Sequence, residues 1–247
     1  MIRNYIKSAW RNIIRDKTFS LINVFGLAVG LAACLLIGLY IEHQLSYDRF
    51  HQKADRIYRL HIHGKVGNDE FKGLRTSNLA KEAIASEFSE VEHVTRFVNL
   101  TQLVEYGEKR IIEDAVMYAD ADFFKVFSFP MIRGDSSRVL SKPNQLVLTE
   151  SAADKYFGDE DPVGQMMRVG GEELYQVTGI CHDVPEYSHF SFDILLSYAT
   201  SSLSEGDTWS RQSIFTYMVL KDRTDPDNFE QNLDVLVDKY AAADFED

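Results

Sequence analysis

Hydrophobic positions are distributed unevenly along the chain, and the longest apolar run lies near the N-terminus. No residue between Thr18 and Ile41 is charged. A helix from Phe19 to Ile41 is roughly 34 Å long at a rise of about 1.5 Å per residue, and the hydrocarbon core of a bilayer is about 30 Å thick. Because a backbone in lipid must satisfy its own hydrogen bonds, we predict one transmembrane helix over residues 18–41.

Three other interpretations of this run fit less well. A buried helix of a soluble protein rarely runs this long without polar residues. A cleaved signal peptide has an apolar region of about 7–15 residues, which is shorter than the one here. The sequence Leu31-Ala32-Ala33-Cys34 resembles a lipoprotein attachment box, but the apolar run continues beyond the cysteine. We therefore expect the helix to be retained.

The first 17 residues predict an amphipathic helix. Apolar side chains recur at the helical spacing i, i+3, i+4, i+7, at Ile2, Tyr5, Ile6, Ala9, Trp10, Ile13 and Ile14. A second stripe is basic and consists of Arg3, Lys7, Arg11 and Arg15. A basic amphipathic helix with a tryptophan is typical of the membrane interface, so membrane lipid is the expected partner of residues 1–17. The alternative is a soluble helix packed on another domain.

Small residues recur at every fourth position within the predicted span, at Gly26, Gly30, Cys34 and Gly38. This spacing places them along one helix face, where a second helix can approach closely. We predict that this face packs against a membrane helix outside the given sequence.

Residues 42–247 alternate between strand and helix patterns. Period-2 alternation predicts strands at 56–65, 94–106, 110–118, 145–148, 167–169, 174–181, 190–196 and 214–220. Helical spacing predicts helices at 77–88, 122–127, 150–157 and 227–243. Thr149 is a candidate N-cap, Asp225-Pro226 marks a helix start, and Gly170-Gly171 predicts a tight hairpin turn. Without a strict βαβ repeat, the fold class is α+β, a mixed α/β domain after one membrane helix.

Charge favours a membrane setting over a nucleic-acid partner. The formal net charge is -12, and residues 1–17 carry +4, which leaves -16 on the rest. Nucleic-acid binding requires clustered Lys and Arg, so we exclude it as the main function. The positive-inside bias places the N-terminus in the cytoplasm and residues 42–247 outside it.

Residue types that carry chemistry are present, but no catalytic, cofactor or metal pattern is complete. Motifs for phosphate-binding loops, dinucleotide folds, serine hydrolases and zinc proteases are missing. His61 and His63, with His51 upstream, lack a third ligand at a fixed spacing. Cys181, His182, Asp183 and His189 lack a base in a defined position, because adjacent strand residues face opposite sides. We therefore predict no catalytic residue, no metal ligand and no cofactor, and we read the acidic run 159–161 as a solvated loop.

Several longer segments resemble the permeases of ABC transporters, specifically the MacB/FtsX-like family with its MacB-like periplasmic core domain. They occur in the family's order: NVFGLAVGL, SYDRFHQKADRIYRL, DADFFKVFSFP, PNQLVLTES, KYFGDEDPVGQ, VTGICHDVP and HFSFDILLSY. Together they cover nearly the whole chain.

The resemblance implies a permease subunit in the inner (plasma) membrane with a periplasmic domain in two subdomains, one porter-like and one inserted and β-rich over roughly Glu113 to Ala199. It also implies a nucleotide-binding ATPase as partner, a permease homodimer or heterodimer, and a periplasmic or outer-membrane partner. On this reading ATP hydrolysis resides on the partner, the chain itself is not an enzyme, and residues 1–247 are an N-terminal fragment lacking the later membrane helices.

Two alternatives remain open from the residues. A single-pass, membrane-anchored sensor or binding domain accounts equally for one membrane helix. A membrane-anchored hydrolase is the third interpretation, and it lacks a recognisable nucleophile.

Overall fold

The structure is a computed structural model that describes residues 2–66, 69–171, 173–202, 208–236 and 239–240. The chain divides into two compact units, Met1–Tyr47 and Asp48–Asp247.

The first unit consists of two helices, α1 (Ile2–Arg15) and α2 (Lys17–Ser46). The apolar side chains of α2 point to all sides of the helix, so it has no polar face. None of its residues is buried. It is long and apolar enough to cross a bilayer by length and composition. The helix therefore contains the predicted span and extends five residues beyond Ile41.

A change of backbone conformation ends α2. Tyr47 is extended, with φ -57° and ψ 135°, and Asp48 has a positive φ of 60°. Aspartate tolerates this left-handed region better than most non-glycine residues do, because its short side chain can make local hydrogen bonds. The chain thus leaves the helix within two residues and enters the second unit.

The second unit contains eleven strands and five α-helices among the described residues. The strands are β1 (Ile57–Arg59), β2 (Ile62–Val66), β3 (Asp69–Gly73), β4 (Val91–Tyr106), β5 (Lys109–Ala119), β6 (Met131–Arg133), β7 (Gln145–Thr149), β8 (Met166–Val169), β9 (Glu173–Cys181), β10 (Ile194–Ser197) and β11 (Phe215–Leu220). The helices are α3 (Ala80–Glu87), α4 (Phe123–Val126), α5 (Glu150–Phe157), α6 (Pro226–Asn232) and α7 (Asp234–Leu236). Short 3₁₀ turns occupy Ala54–Arg56 and Tyr198–Thr200. This arrangement confirms one apolar helix followed by a mixed α/β domain.

Nine strands form one sheet in the order β1-β11-β4-β5-β10-β7-β9-β6, and β2 and β3 form a separate hairpin. The remaining strand of the sheet, β8, pairs with both β9 and β4. Strands β4, β5, β10, β7, β9 and β8 therefore pair in a closed ring. The segment predicted as an insertion begins at Glu113, inside β5, so its strands continue the sheet of the strands before it.

Side chains along the ring strands point alternately to the two faces of the sheet, and they form one buried cluster on each face. One cluster draws on all six ring strands and on α5, and it includes Val104, Val116, Leu146, Met167, Tyr175 and Ile194. The other lies on the opposite face and is rich in aromatic residues, among them Phe97, Phe123, Phe127, Phe190, Phe192 and Tyr217. A third, smaller cluster packs α3 and α6 against β4 and β11.

Local signals in the sequence account for several element boundaries. The Thr149 hydroxyl accepts a hydrogen bond from the N–H of Ala152 and caps α5, and Asp225 caps α6. Gly170 and Gly171 have φ values of 74° and 99°, which fits the predicted turn between β8 and β9. The predicted helix over 227–243 is interrupted, because α6 ends at Asn232 and α7 begins at Asp234. Residues 237–238 and 241–243 of that prediction lie outside the described residues.

A buried ion pair fixes the start of β4 to the end of β5. Nε of Arg96 lies 3.0 Å from Oδ2 of Asp120, and Nη2 lies 3.2 Å from Oδ1. The same guanidinium contacts Glu82 at 3.0 Å and stacks over the ring of Tyr198 at 4.5 Å. Lys81 contacts Asp120 at 3.2 Å. Helix α3 is thereby tied to both long strands.

Candidate functional site

Asp48, the first residue of the second unit, is held there by two hydrogen bonds and a short contact with a histidine. Its N–H donates to the carbonyl of Tyr187 at 2.9 Å. Its carboxylate accepts a hydrogen bond from the backbone N–H of His189 at 3.1 Å, and its Oδ2 lies 2.8 Å from Nδ1 of the same residue. The first residue of the second unit is therefore fixed to a distant loop of the same unit.

His189 continues this contact into the sheet. Its Nε2 lies 2.6 Å from the hydroxyl of Tyr217, a buried residue of β11. Arg59 of β1 forms a hydrogen bond to Tyr217, and this bond opposes the rise that burial causes in the pKa of the tyrosine. Asp48, His189, Tyr217 and Arg59 form one hydrogen-bonded chain, which we name the relay. It connects the first residue of the unit with the paired strands β1 and β11.

His51 packs beside the relay in a different environment. It is 4% exposed, and its Nδ1 accepts a hydrogen bond from the N–H of Ser128 at 3.1 Å. Burial lowers its pKa to about 4, so the imidazole is neutral near pH 7. Its ring contacts those of Phe127 and Phe129 at centroid distances of 5.3 Å. The segment after α2 is therefore anchored by apolar packing as well as by the relay.

A cleft of about 480 Å³ opens beside the relay. Its walls include Asp48, His51, Tyr58, Arg59, His61 and Tyr217. Nε of Arg59 donates to Nε2 of His61 at 3.0 Å. The pKa of His61 is lowered by burial and also by the nearby positive charges of Arg59 and Lys72. This cleft is the candidate functional site of the described structure.

The small residues predicted to pack in the membrane all lie on the exposed surface of α2. Apart from the adjoining residues and nearby backbone of α2 itself, no described atom lies within 4 Å of the position that a Cβ would occupy at Gly26, Gly30 or Gly38. Cys34 is exposed as well. The stripe is thus available to a partner, and its use in helix packing stays a prediction.

The basic stripe of α1 is also solvent-accessible. Arg3, Lys7, Arg11 and Arg15 are exposed, and Trp10 is 65% exposed. The interfacial role of these residues stays a prediction.

The cysteine cluster forms no nucleophilic site. Cys181 is buried, its thiol donates to the carbonyl of Leu148 at 3.6 Å, and burial raises its pKa to about 12. Asp183 accepts hydrogen bonds from the backbone and hydroxyl of Ser151, whereas His189 belongs to the relay. Within the ranges that the structure describes, no group of three or more His, Cys, Asp and Glu residues is arranged to hold a metal.

The sequence indicated His51 and His189 only as members of other candidate clusters, and it gave no role to Asp48, Arg59 or Tyr217. The available signal was the polar run DRFH immediately after the apolar helix. That run marks the junction, but it does not reveal that His189 and Tyr217 are the partners, because these contacts depend on long-range pairing.

The family to which the sequence was compared and matched agrees with the fold described above. The family model of the MacB-like periplasmic core domain matches residues 20–236. No protein of curated function matches the chain.

Two solved structures are similar to the chain. A domain of a protein assigned as a permease, from Porphyromonas gingivalis, has a TM-score of 0.66 at 22% identity, over 78% of this chain and 84% of that chain. The periplasmic region of MacB from Actinobacillus actinomycetemcomitans has a TM-score of 0.52 at 20% identity, over 67% and 75% of the respective chains. At these identities the structures establish the shared fold.

Proposed function

The chain belongs to the MacB-like periplasmic core domain family, the periplasmic domain of ABC-type transporter permeases, and we propose that it transmits force within such a permease. In this role α2 crosses the inner membrane, α1 lies at its cytoplasmic surface, and the second unit works in the periplasm. The five basic residues that precede the apolar run within residues 1–17 support that orientation.

The relay is the observation that carries the proposal. A loose linker after a membrane helix absorbs motion, whereas here the first residue after Tyr47 is fixed by two hydrogen bonds and by the 2.8 Å contact with Nδ1 of His189. Displacement of the chain at Asp48 is passed through His189 and Tyr217 to β11, which pairs with both β1 and β4. Motion therefore reaches the sheet directly.

The energy for this motion comes from a partner in our proposal. The sequence contains no phosphate-binding loop, so ATP hydrolysis resides on a nucleotide-binding ATPase subunit or domain. The stripe of Gly26, Gly30, Cys34 and Gly38 packs against another permease helix, either from a second copy or from a different permease chain. A periplasmic or outer-membrane partner then contacts the acidic outer domain.

Affinity purification of the natural protein from native membranes tests this proposal. We expect a nucleotide-binding ATPase to co-purify in a fixed ratio, and the complex to hydrolyse ATP. Replacing Asp48 by Ala is expected to leave the ATPase bound while altering the hydrolysis rate, because the variant removes only the fixed junction.

Asp159→Ala is the matched control, since it removes an exposed carboxylate elsewhere on the unit. Isolation of a stable complex without any ATPase would favour the alternative function, a single-pass sensor or binding domain. An ATP hydrolysis rate that is identical in the Asp48→Ala and Asp159→Ala complexes would contradict coupling through the relay.

A further inference from the structure

The cleft beside the relay contains Arg59, a cation that forms no ion pair with a carboxylate of the described residues. The hydrogen bonds of Arg59 go to His61 and to Tyr217, both neutral acceptors. Among the described residues no carboxylate forms an ion pair with Arg59. An unpaired guanidinium is unusual on a unit with a strong excess of negative charge, because carboxylates are the commonest partners of surface arginines.

His51 lies in the wall of the same cleft but offers it no hydrogen bond. Because its Nδ1 accepts the N–H of Ser128, the proton of the neutral ring resides on Nε2. That Nε2 is enclosed by protein, so a ligand in the cleft does not reach it. His51 therefore shapes the wall, and Arg59 is the group that offers hydrogen bonds and charge to a ligand.

The remaining charges around the cleft are consistent with an anion. The carboxylate of Asp48, the acidic residue of the wall, faces His189 with both oxygens, one accepting its backbone N–H and the other 2.8 Å from its Nδ1. Lys72 of β3 is exposed and lies close enough to His61 to affect its titration. Positive charge therefore dominates the side of the cleft formed by Arg59 and His61.

We propose that this cleft binds a phosphate-type oxyanion, with the guanidinium of Arg59 as its charge partner. A volume of about 480 Å³ accommodates a phosphate carried by a small organic group. The same chemistry is available from a free phosphate and from a phospholipid headgroup. The proposal does not depend on the transport function, because it concerns binding alone.

The test measures binding of the full chain in nonionic detergent by isothermal titration with inorganic phosphate and with glycerol phosphate. Arg59→Gln is expected to weaken binding about ten- to a hundredfold, in line with the strength of a hydrogen bond to a charged group. Arg59→Lys keeps the charge and is expected to retain part of the affinity. Lys142→Gln removes an exposed positive charge outside the cleft wall and is expected to bind as the wild type does.

A second arm distinguishes the two sources of phosphate. The wild type, Arg59→Gln and Lys142→Gln are reconstituted in vesicles of phosphatidylglycerol or of phosphatidylcholine, and their thermal unfolding is compared. Binding of the soluble phosphates identifies a free ligand, whereas an Arg59-dependent stabilisation only in phosphatidylglycerol identifies a lipid headgroup. Equal behaviour of Arg59→Gln and Lys142→Gln in both arms, with each variant folded by circular dichroism, overturns the proposal.

Discussion

His189 donates its backbone N–H to Oδ1 of Asp48 and places its Nδ1 2.8 Å from Oδ2, although the two residues are separated by 141 positions. This contact joins the segment after the apolar helix to a loop that precedes β10. It determines how firmly the chain is held at the entry to the second unit.

Substitutions at Asp48 separate the role of its carboxylate from that of its backbone. Asp48→Ala is expected to destabilise the second unit by about 2 kcal/mol, because it removes an acceptor of charge-assisted hydrogen bonds and keeps a positive φ. Asp48→Gly is expected to lose less stability than Asp48→Ala, because glycine tolerates the φ of 60°. Asp48→Asn is expected to lose the least stability, because its amide oxygen still accepts a hydrogen bond. Thermal unfolding of the full chain in detergent checks this order. An Ala variant as stable as the wild type contradicts it.

Arg96 and Asp120 provide a second test, of stability alone. Both are buried, with side chains 10% and 9% exposed, so either Arg96→Met or Asp120→Asn leaves a group without its main partner. We expect each single variant to lose about 3–5 kcal/mol. The double variant is expected to lose less unfolding free energy than the two single variants lose in sum, because both partners of the ion pair are removed together.

Chemical denaturation of the four proteins gives the coupling free energy of this pair. Additive losses would show that the two side chains act independently. Lys142→Gln, at an exposed position, serves as a control that changes one charge with no buried contact.

Glu92 gives the second unit a defined acid response. Hydrogen bonds from Lys53 and Arg56 lower the pKa of Glu92 to about 2, from 4.5. A carboxyl group with a lowered folded-state pKa stabilises the protein above its unfolded pKa and loses this contribution as the pH falls through the folded value. The stability difference between the wild type and Glu92→Gln is therefore expected to be complete above about pH 5 and to vanish toward pH 2. Denaturation between pH 2 and 7 measures it, and a pH-independent difference contradicts the assignment.

Cysteine labelling tests the orientation of the second unit. Because Cys181 is buried and its pKa is raised to about 12, we expect it to resist maleimide in the folded protein at pH 7 and to react after unfolding. It is therefore unsuitable as a topology reporter. Ser136 is exposed, and Ser136→Cys in a background with both natural cysteines replaced by Ala provides one.

A membrane-impermeant maleimide is expected to label Ser136→Cys in spheroplasts with an intact inner membrane. Labelling that requires permeabilisation of that membrane places the unit in the cytoplasm and contradicts the proposed orientation.

The small-residue stripe of α2 gives a prediction about assembly. Gly30→Leu is expected to weaken helix association in the membrane, because it fills the face along which another backbone approaches. Ala32→Leu adds a similar volume on the opposite side of the helix and is the matched control. Energy transfer between labelled copies in vesicles measures self-association, and the purification described above measures association with another permease helix. Equal effects of the two substitutions contradict the assignment of this face.

The sequence predicts elements whose signals are local. The apolar run of α2, the alternation of β4 and β5, and the Thr149 cap of α5 were all recognisable from neighbouring residues. Strand β3, with the sequence DEFKG, was missed because it contains a single large apolar residue. Strand β6 was missed because it is three residues long.

The relay and the ring were beyond sequence reasoning for a different reason. Tyr217 meets His189 only because β11 pairs with β4, and β8 closes the ring only because it reaches both β4 and β9. These contacts join residues that are far apart in the sequence, and no periodic pattern of hydrophobic positions indicates that they meet. The cleft is therefore recognisable in the structure and not in the sequence.

The closure of the ring determines where the second unit is mechanically weakest. Strand β8 joins β4 through two residue pairs, Val104 with Val169 and Glu105 with Arg168, whereas β4 and β5 pair along most of their length. When a force spreads the strands of the ring, we expect the pairing with the fewest residue pairs to separate first. The β4–β8 pairing is the shortest in the ring, so it is expected to open while the long hairpin of β4 and β5 stays paired.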